Sequence, residues 1–281
     1  LAIKSLMHGN QRIALLLALL LCPALAACAE TNKNNTKTES AASTESKWQQ
    51  IGSLPHQPAA FTQGLVIRDG VWWESSGLYG RSFVQRRASD QPTRQIALPK
   101  SLFAEGLTVL GDTLYLLTWR AGQLLIFDAN TLQQKKTLRY QGEGWGLTDN
   151  GHQLIMSNGS AELLFRSAED FSIERRITVR WQGQAVNGLN ELEYHQGLIL
   201  ANRWTKDYVL VISAQTGDVL QVLDLRTLYP RQQRRPGDDV LNGIAYDPDN
   251  GSWWFTGKFW PLMYQLKLDL PEVVGLEHKS R

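Results

Sequence analysis

The sequence predicts an all-β chain folded as a five-bladed β-propeller, and three observations carry that prediction. From Trp48 onward, short apolar runs rich in Val, Ile, Leu, Trp and Tyr alternate with Gly, Asp and Asn turns, the texture of half-buried strands. No helical periodicity runs through them. A unit also repeats, with an apolar anchor at Leu65, Leu107, Leu147, Leu192 and Ile244, at intervals of 42, 40, 45 and 52 residues. A four-stranded blade occupies about 40 to 50 residues, whereas an up-and-down barrel would need shorter and more even spacing.

The chain is long enough to bury a large core: 281 residues, 43% of them hydrophobic. A formal net charge of +2, with Lys and Arg scattered along the sequence, gives no electrostatic reason for a nucleic-acid partner. Residues 1–27 read as a secretory signal, because Lys4 and Arg12 precede the apolar run Ile13 to Leu21 and small residues then lead into Cys28. Pro23 interrupts a run already short of the roughly 20 residues a membrane span needs. Leu25-Ala26-Ala27-Cys28 resembles a bacterial lipobox, so Cys28 is the expected lipidation site and first mature residue. The membrane is then reached through the lipid. Ala29 after Cys28 favours the periplasmic face of the outer membrane of a bacterial envelope. Residues 28–47 lack any large apolar residue and read as a tether. Residues 48–281 form the propeller, expected as a monomer.

Within the propeller, each unit starts on an inner strand and continues through a turn to a second strand. The starts are Phe61-Thr62-Gln63-Gly64-Leu65, Phe103-Ala104-Glu105-Gly106-Leu107, Glu143-Gly144-Trp145-Gly146-Leu147, Leu189-Asn190-Glu191-Leu192 and Leu241-Asn242-Gly243-Ile244. The turns are Asp69-Gly70, Gly111-Asp112, Asn150-Gly151, Gln196-Gly197 and Asn250-Gly251, of which the Asn-Gly and Asp-Gly pairs favour tight hairpins. The stretch Trp48 to Leu54 lies ahead of the first anchor and is expected to pair with the last blade, closing the ring and removing its exposed edges.

Glycine beside the anchor is what a crowded inner strand requires. The polar residues before it need another reason. Gln63, Glu105, Trp145 and Asn190 fall two positions before their anchors, and equivalent positions in a propeller face one axis. A buried carboxylate is costly unless compensated. Glu105 could cap backbone N–H groups of a neighbouring blade, with Lys258 only its ion-pair partner; the alternative is a functional site around the axis. Alternation places Glu191 and Glu193 on the opposite face from Asn190 and Leu192. Trp72, Trp73, Trp253 and Trp254 sit on second strands and read as packing between blades, and Arg231 to Arg235 as a solvated loop. His56, His152 and His195 stand alone, without metal-ligand spacing, so no metal and no cofactor is expected.

Eight segments, in order, resemble the plant-type glutaminyl cyclases, a five-bladed propeller family distinct from the zinc-dependent animal enzymes. They are Pro55-His56-Gln57-Pro58 with Phe61 to Leu65, Glu74 to Gly80, Phe103 to Thr108, Leu117-Thr118-Trp119, Gly142 to Leu147, Leu189 to Glu193, Ala201 to Trp204, and Thr256 to Pro261. The family usually has Asp where this chain has Gln57. The resemblance covers about residues 48–268 and implies an active site in the central channel. There Glu105, Lys258 and Asn190 would be catalytic, with Glu105 the proton shuttle, and Phe61, Gln63, Trp119, Trp145 and Trp204 would bind substrate. The implied substrates are peptides and proteins with an N-terminal glutamine, closed to pyroglutamate with release of ammonia. The oxyanion donor would be Lys258, Asn190 or an indole N–H. Because propellers host many functions, the alternative is a non-catalytic lipoprotein acting as an envelope scaffold or peptide-binding module.

Overall fold

The computed structural model describes residues 47–273; the signal and the Cys28 lipidation site lie outside the described residues, as does nearly all of the tether. Alternating apolar residues and glycine turns fold this stretch into five antiparallel four-stranded sheets. Blade 1 runs through Thr62–Arg68, Val71–Ser76, Phe83–Ala88 and Gln91–Ala97, and blade 2 through Ala104–Leu110, Thr113–Thr118, Gln123–Asp128 and Gln134–Arg139. Blade 3 comprises Leu147–Asp149, Gln153–Met156, Glu162–Ser167 and Ile173–Thr178, and blade 4 Leu189–His195, Leu198–Arg203, Tyr208–Ser213 and Val219–Asp224. Blade 5 is built from both ends of the described chain. Its first three strands are Leu241–Asp247, Ser252–Gly257 and Leu262–Leu268, and its outermost is Trp48–Pro55, paired from Trp48↔Leu268 to Pro55↔Leu262.

The core is divided into wedges, one at each blade–blade interface, because the inner and middle strands of the blades carry apolar residues on both faces and each face meets a different neighbour. On the first inner strand, Leu65 and Ile67 pack against Ala245, Trp254 and Met263 of blade 5. Val66, between them, turns the other way, toward Ala104 and Leu107 of blade 2. Trp72 meets Trp254 edge-to-face across the closing seam, ring centroids 5.1 Å apart, and Trp73 donates its indole N–H to the Ala129 carbonyl of blade 2 at 2.8 Å. The second-strand tryptophans are therefore packing residues. Asp69-Gly70 and Gln196-Gly197 both take positive φ at their two turn positions, as the tight hairpins require.

Near the axis the spacing is set by glycine. A Cβ at Gly64 would stand 2.5 Å from the amide nitrogen of Leu107, and one at Gly106 2.6 Å from the carbonyl carbon of Gly146. Backbone thus packs on backbone from blade to blade. Blade 4 departs from this pattern: Glu191 occupies the place of the glycine. Its carboxylate crosses the channel and accepts the anchor N–H groups of Leu65 at 3.3 Å and Ile244 at 2.8 Å, linking three blades. Glu193 also faces the axis, where it meets Arg68, Thr148 and the amide of Tyr246. Both carboxylates lie opposite Leu192, as alternation requires, but on the same channel side as Asn190, and the reason is a local break in that strand.

His56 is not solitary. Buried at the closing seam, its Nε2 lies 2.8 Å from Glu74 Oε1 and its Nδ1 2.8 Å from the Trp260 carbonyl. Burial works against its charge, but Glu74 and the Trp260 carbonyl outweigh that and raise its pKa. Likewise, the Arg231 to Arg235 segment is more than a solvated loop: Arg231 and Arg234 both pair with Asp207, and Arg234 is nearly buried.

Candidate active site

The antiparallel order of each blade brings the starts of the inner strands and the ends of the second strands to the same rim of the ring, where a cleft of about 410 Å³ opens into the channel. Phe61, Gln63, Glu105, Trp119, Trp145, Asn190, Trp204 and Lys258 all line it. A larger recess of about 660 Å³ lies at the other end, between the tips of blades 4 and 5 and the segment after Leu268, and holds none of these residues.

The polar residues reach the channel because their strands are bulged. Pairing registers shift between Thr62 and Gly64, Ala104 and Leu107, Leu189 and Leu192, and Leu241 and Ile244, which brackets Gln63, Glu105, Asn190 and Asn242. A bulge adds one residue to a strand and re-aims its side chain; the same break puts Asn190 on the side of Glu191. Blade 3 reaches the same end differently, since its inner strand starts only at Leu147 and leaves Trp145 on the approach. Gly159 makes room for that indole: a Cβ there would lie 2.7 Å from the Trp145 ring.

Inside the cleft the polar groups form a chain. Asn242 Nδ2 donates to the Thr62 carbonyl at 2.9 Å and to Gln63 Oε1 at 3.4 Å, and Gln63 Nε2 donates to Glu105 Oε1 at 3.2 Å. Burial pushes the Glu105 carboxyl well above the usual range; Lys258 opposes that and Glu143 adds to it. Burial pushes Lys258 down, against the pull of Glu105 and Asp239. The ammonium of Lys258 lies 4.5 Å from the centroid of the Phe61 ring, an arrangement that tolerates a partly desolvated cation. Asn190 Oδ1 is buried and has no hydrogen-bond partner among the described residues, an acceptor open to a donor in the cleft.

Aromatic rings form the walls. Trp145 and Trp204 meet edge-to-face with centroids 5.8 Å apart, Trp204 more than half exposed at the rim. Opposite them, Trp119 packs on Phe103 at 5.4 Å, and Tyr79 covers Phe103. Trp119 and Trp145 are not oxyanion donors. Their indole N–H groups both donate to Glu143 Oε2, at 2.8 and 3.0 Å, while Arg120 donates to the other oxygen at 2.9 Å and stacks 3.8 Å over the Trp119 ring. Burial opposes ionisation of Glu143, but these donors outweigh it and hold its pKa below the ordinary carboxylate value. Lys258, Asn190 and the indole N–H of Trp204 remain as candidate donors. Two strained positions flank the cleft, Leu78 at φ 85° and Phe259 at φ 64°, a cost that non-glycine residues bear most often around functional sites.

Glu143 and Asn242 were both discoverable in the sequence. Asn242 stands two residues before the anchor Ile244, the same offset as the other ring members, and Glu143 stands two before Trp145. Phe103 likewise repeats the offset of Phe61, four residues before its anchor, whereas nothing local distinguishes Leu78 and Arg120 from packing or surface residues. Among the described residues no group of three or more His, Cys, Asp or Glu is arranged to hold a metal ion.

The glutamine cyclotransferase family profile matches residues 19–268. The chain is 35% identical, over 226 residues, to the glutaminyl-peptide cyclotransferase of Arabidopsis thaliana, covering 78% of this chain and 70% of that protein. It also superposes on the crystal structure of Myxococcus xanthus glutaminyl cyclase with a TM-score of 0.72 and 37% identity, covering 80% of this chain and 97% of that one.

Proposed function

Because the chain belongs to the glutamine cyclotransferase family and is a glutaminyl-peptide cyclotransferase, we propose that Glu105 moves the protons of the cyclisation while Lys258 and Asn190 hold the reacting amide. The substrate already carries its nucleophile and electrophile in one residue, so proximity is partly built in. The neutral α-amine attacks the side-chain amide carbon, forming the ring C–N bond and a tetrahedral oxyanion. Glu105 accepts the proton from the attacking nitrogen and returns it to the departing one; the C–N bond to that nitrogen breaks and ammonia leaves. A buried carboxyl with a raised pKa suits both transfers, since a shuttle works best when its affinity for the proton is near that of its partners. Lys258 and Asn190 face the developing oxyanion, and Trp145, Trp204 and Trp119 enclose the flat amide and exclude water.

The observation that carries this reading is Glu105 itself, a carboxylate buried in the channel beside a lysine, touched by one amide donor and walled by aromatic rings. Ammonia release from peptides tests it. A glutaminyl N-terminus is expected to react and an asparaginyl one to fail, because asparagine would have to close a four-membered ring. N-terminal glutamate is expected to react only slowly. Acetylation of the α-amine is expected to abolish turnover by delocalising the nitrogen lone pair. Equal ammonia release from internal or acetylated glutamine would identify a general amidase instead.

We also propose that the mature protein is held at the bacterial envelope by lipid on Cys28, on the strength of Leu25-Ala26-Ala27-Cys28 after the apolar run. Cys28→Ser is expected to release it to the soluble fraction or stall its processing. Unchanged membrane fractionation with no lipid mass on the wild-type N-terminus would refute the anchor. The outer strands carry Arg94, Lys135, Lys136, Arg139 and Arg176, and charged edges of this kind resist strand pairing between molecules, which supports a monomer.

A further inference from the structure

Resting on the cyclotransferase reading, we infer that the channel mouth is a cationic collar that selects glutaminyl peptides with acidic residues immediately after the N-terminal glutamine. The small net charge conceals how the charges are distributed. On the blade 4 and 5 side, Trp204 sits between Arg203 and Lys206, and the segment 225–240 packs against that turn. Arg231 donates to the Thr205 carbonyl at 2.9 Å, and Arg235 to the Phe259 carbonyl at 3.1 Å; the Phe259 ring in turn packs on Phe61 in the cleft. A single carboxylate, Asp207, pairs with both Arg231 and Arg234, and Asp239 lines the same recess as those two guanidiniums, so Arg203, Lys206, Arg231, Arg234 and Arg235 on this side face three carboxylates with Asp238 included. Asp238 matches Arg235.

On the blade 1 and 2 side, the exposed rim ring Tyr79 lies beside Arg81 and Lys100, the amide of Gly80 bonding to the Lys100 carbonyl. Arg120, over Trp119, is balanced by Glu143. Arg81, Lys100, Arg203 and Lys206 form no ion pair among the described residues. The inner hairpins carry Asp69, Asp112, Asp149, Asp247 and Asp249 toward their far ends, with Asp149 3.7 Å from Arg68. Unpaired cations therefore stand at the end that admits substrate, while the inner hairpin tips at the other end carry carboxylates.

A peptide seated by its first residue must lead its second to fourth residues out across this collar. Sterically those residues are free, since the channel admits only the chain end. Electrostatically they are not, because they pass within reach of several cations before the Debye length of about 8 Å at physiological salt screens them. Clefts lined with one sign of charge concentrate ligands of the other sign and raise association rates by about 10- to 10³-fold at low ionic strength. An anionic membrane would be attracted to the same collar, but its contact would cover the mouth and close it to substrate.

The test measures kcat/KM on three matched amidated peptides, Gln-Glu-Glu-Ala, Gln-Ala-Ala-Ala and Gln-Lys-Lys-Ala, at low salt and at about 0.5 M salt, where screening is nearly complete. The same series is run on the triple variant Arg81→Glu, Lys100→Glu, Lys206→Glu, whose sites lie outside the catalytic cleft. The wild type is expected to prefer the acidic over the basic peptide by about tenfold at low salt, and the preference should collapse in high salt. In the variant it should shrink or invert, with kcat on the neutral peptide unchanged. Equal kcat/KM on all three peptides, or a preference that survives in the variant, would overturn the collar while leaving the cyclotransferase reading intact. Loss of turnover on adding anionic vesicles, with no preference among peptides, would overturn it in favour of a membrane-facing surface. No turnover of even the neutral peptide by the wild type would overturn the reading on which the collar rests.

Discussion

Replacing Glu105 with glutamine is expected to lower kcat by about 10²- to 10⁴-fold, the usual worth of a positioned proton-transfer group, while the thermal midpoint stays close to that of the wild type. The amide preserves the shape and can still meet Gln63, 3.2 Å away, but it can neither take a proton from the amine nor return one to the departing nitrogen. The pH profile supplies the second readout. Glu105 must be ionised to accept the amine proton, and burial raises its pKa well above the ordinary carboxylate value. The wild-type kcat should therefore rise with pH along a limb displaced upward from the normal carboxylate range, and that limb should vanish in Glu105→Gln. Near-normal turnover in a folded variant would remove Glu105 from the chemistry.

Gly146→Ala is expected to cost about 3 kcal/mol or more, at or beyond the upper end for overpacking a core. The added methyl would collide with the carbonyl of Asn190, 2.7 Å from its carbon, and stand 2.9 Å from the Glu191 Cα. These are backbone atoms on the inner strand of the next blade, with no side chain able to swing away. Relief requires blades 3 and 4 to separate, which would disturb both Asn190 in the cleft and the Glu191 bridge to Leu65 and Ile244. At about 2 to 4 °C per kcal/mol for a domain of this size, the melting point should fall by roughly 6 to 12 °C. Gly80→Ala is the control. Gly80 has φ +75° but open space around it, so only the left-handed backbone penalty of about 1 to 2 kcal/mol applies. A Gly146→Ala protein that melts no lower than the Gly80→Ala protein would show that the blades are not in contact at this glycine.

What the sequence determined by itself is the repeating unit and its content. The anchors Leu65, Leu107, Leu147, Leu192 and Ile244, the glycines beside four of them and the hairpin turns are local features, and four of the five blades are each one continuous stretch of chain. The pairing of Trp48–Pro55 with the last blade also follows from local reasoning, because a ring of strands must close somewhere. The polar positions two before the anchors were legible for the same reason, and Asn242 obeyed that rule as well. Tertiary structure alone decided what those side chains do. The bulges that turn Gln63, Glu105 and Asn190 into the channel are register shifts between strands, and a strand does not record its partner's register. The indole N–H groups of Trp119 and Trp145 point to Glu143 rather than to substrate, which depends on how blades 2 and 3 abut. Glu191 reads as one more carboxylate in the chain, yet it spans the axis to cap amides of blades 1 and 5, residues 126 and 53 positions away. The collar of cations is equally invisible along the sequence, because charges scattered over five blades acquire a common face only when antiparallel pairing sends alternate turns to opposite ends of the ring.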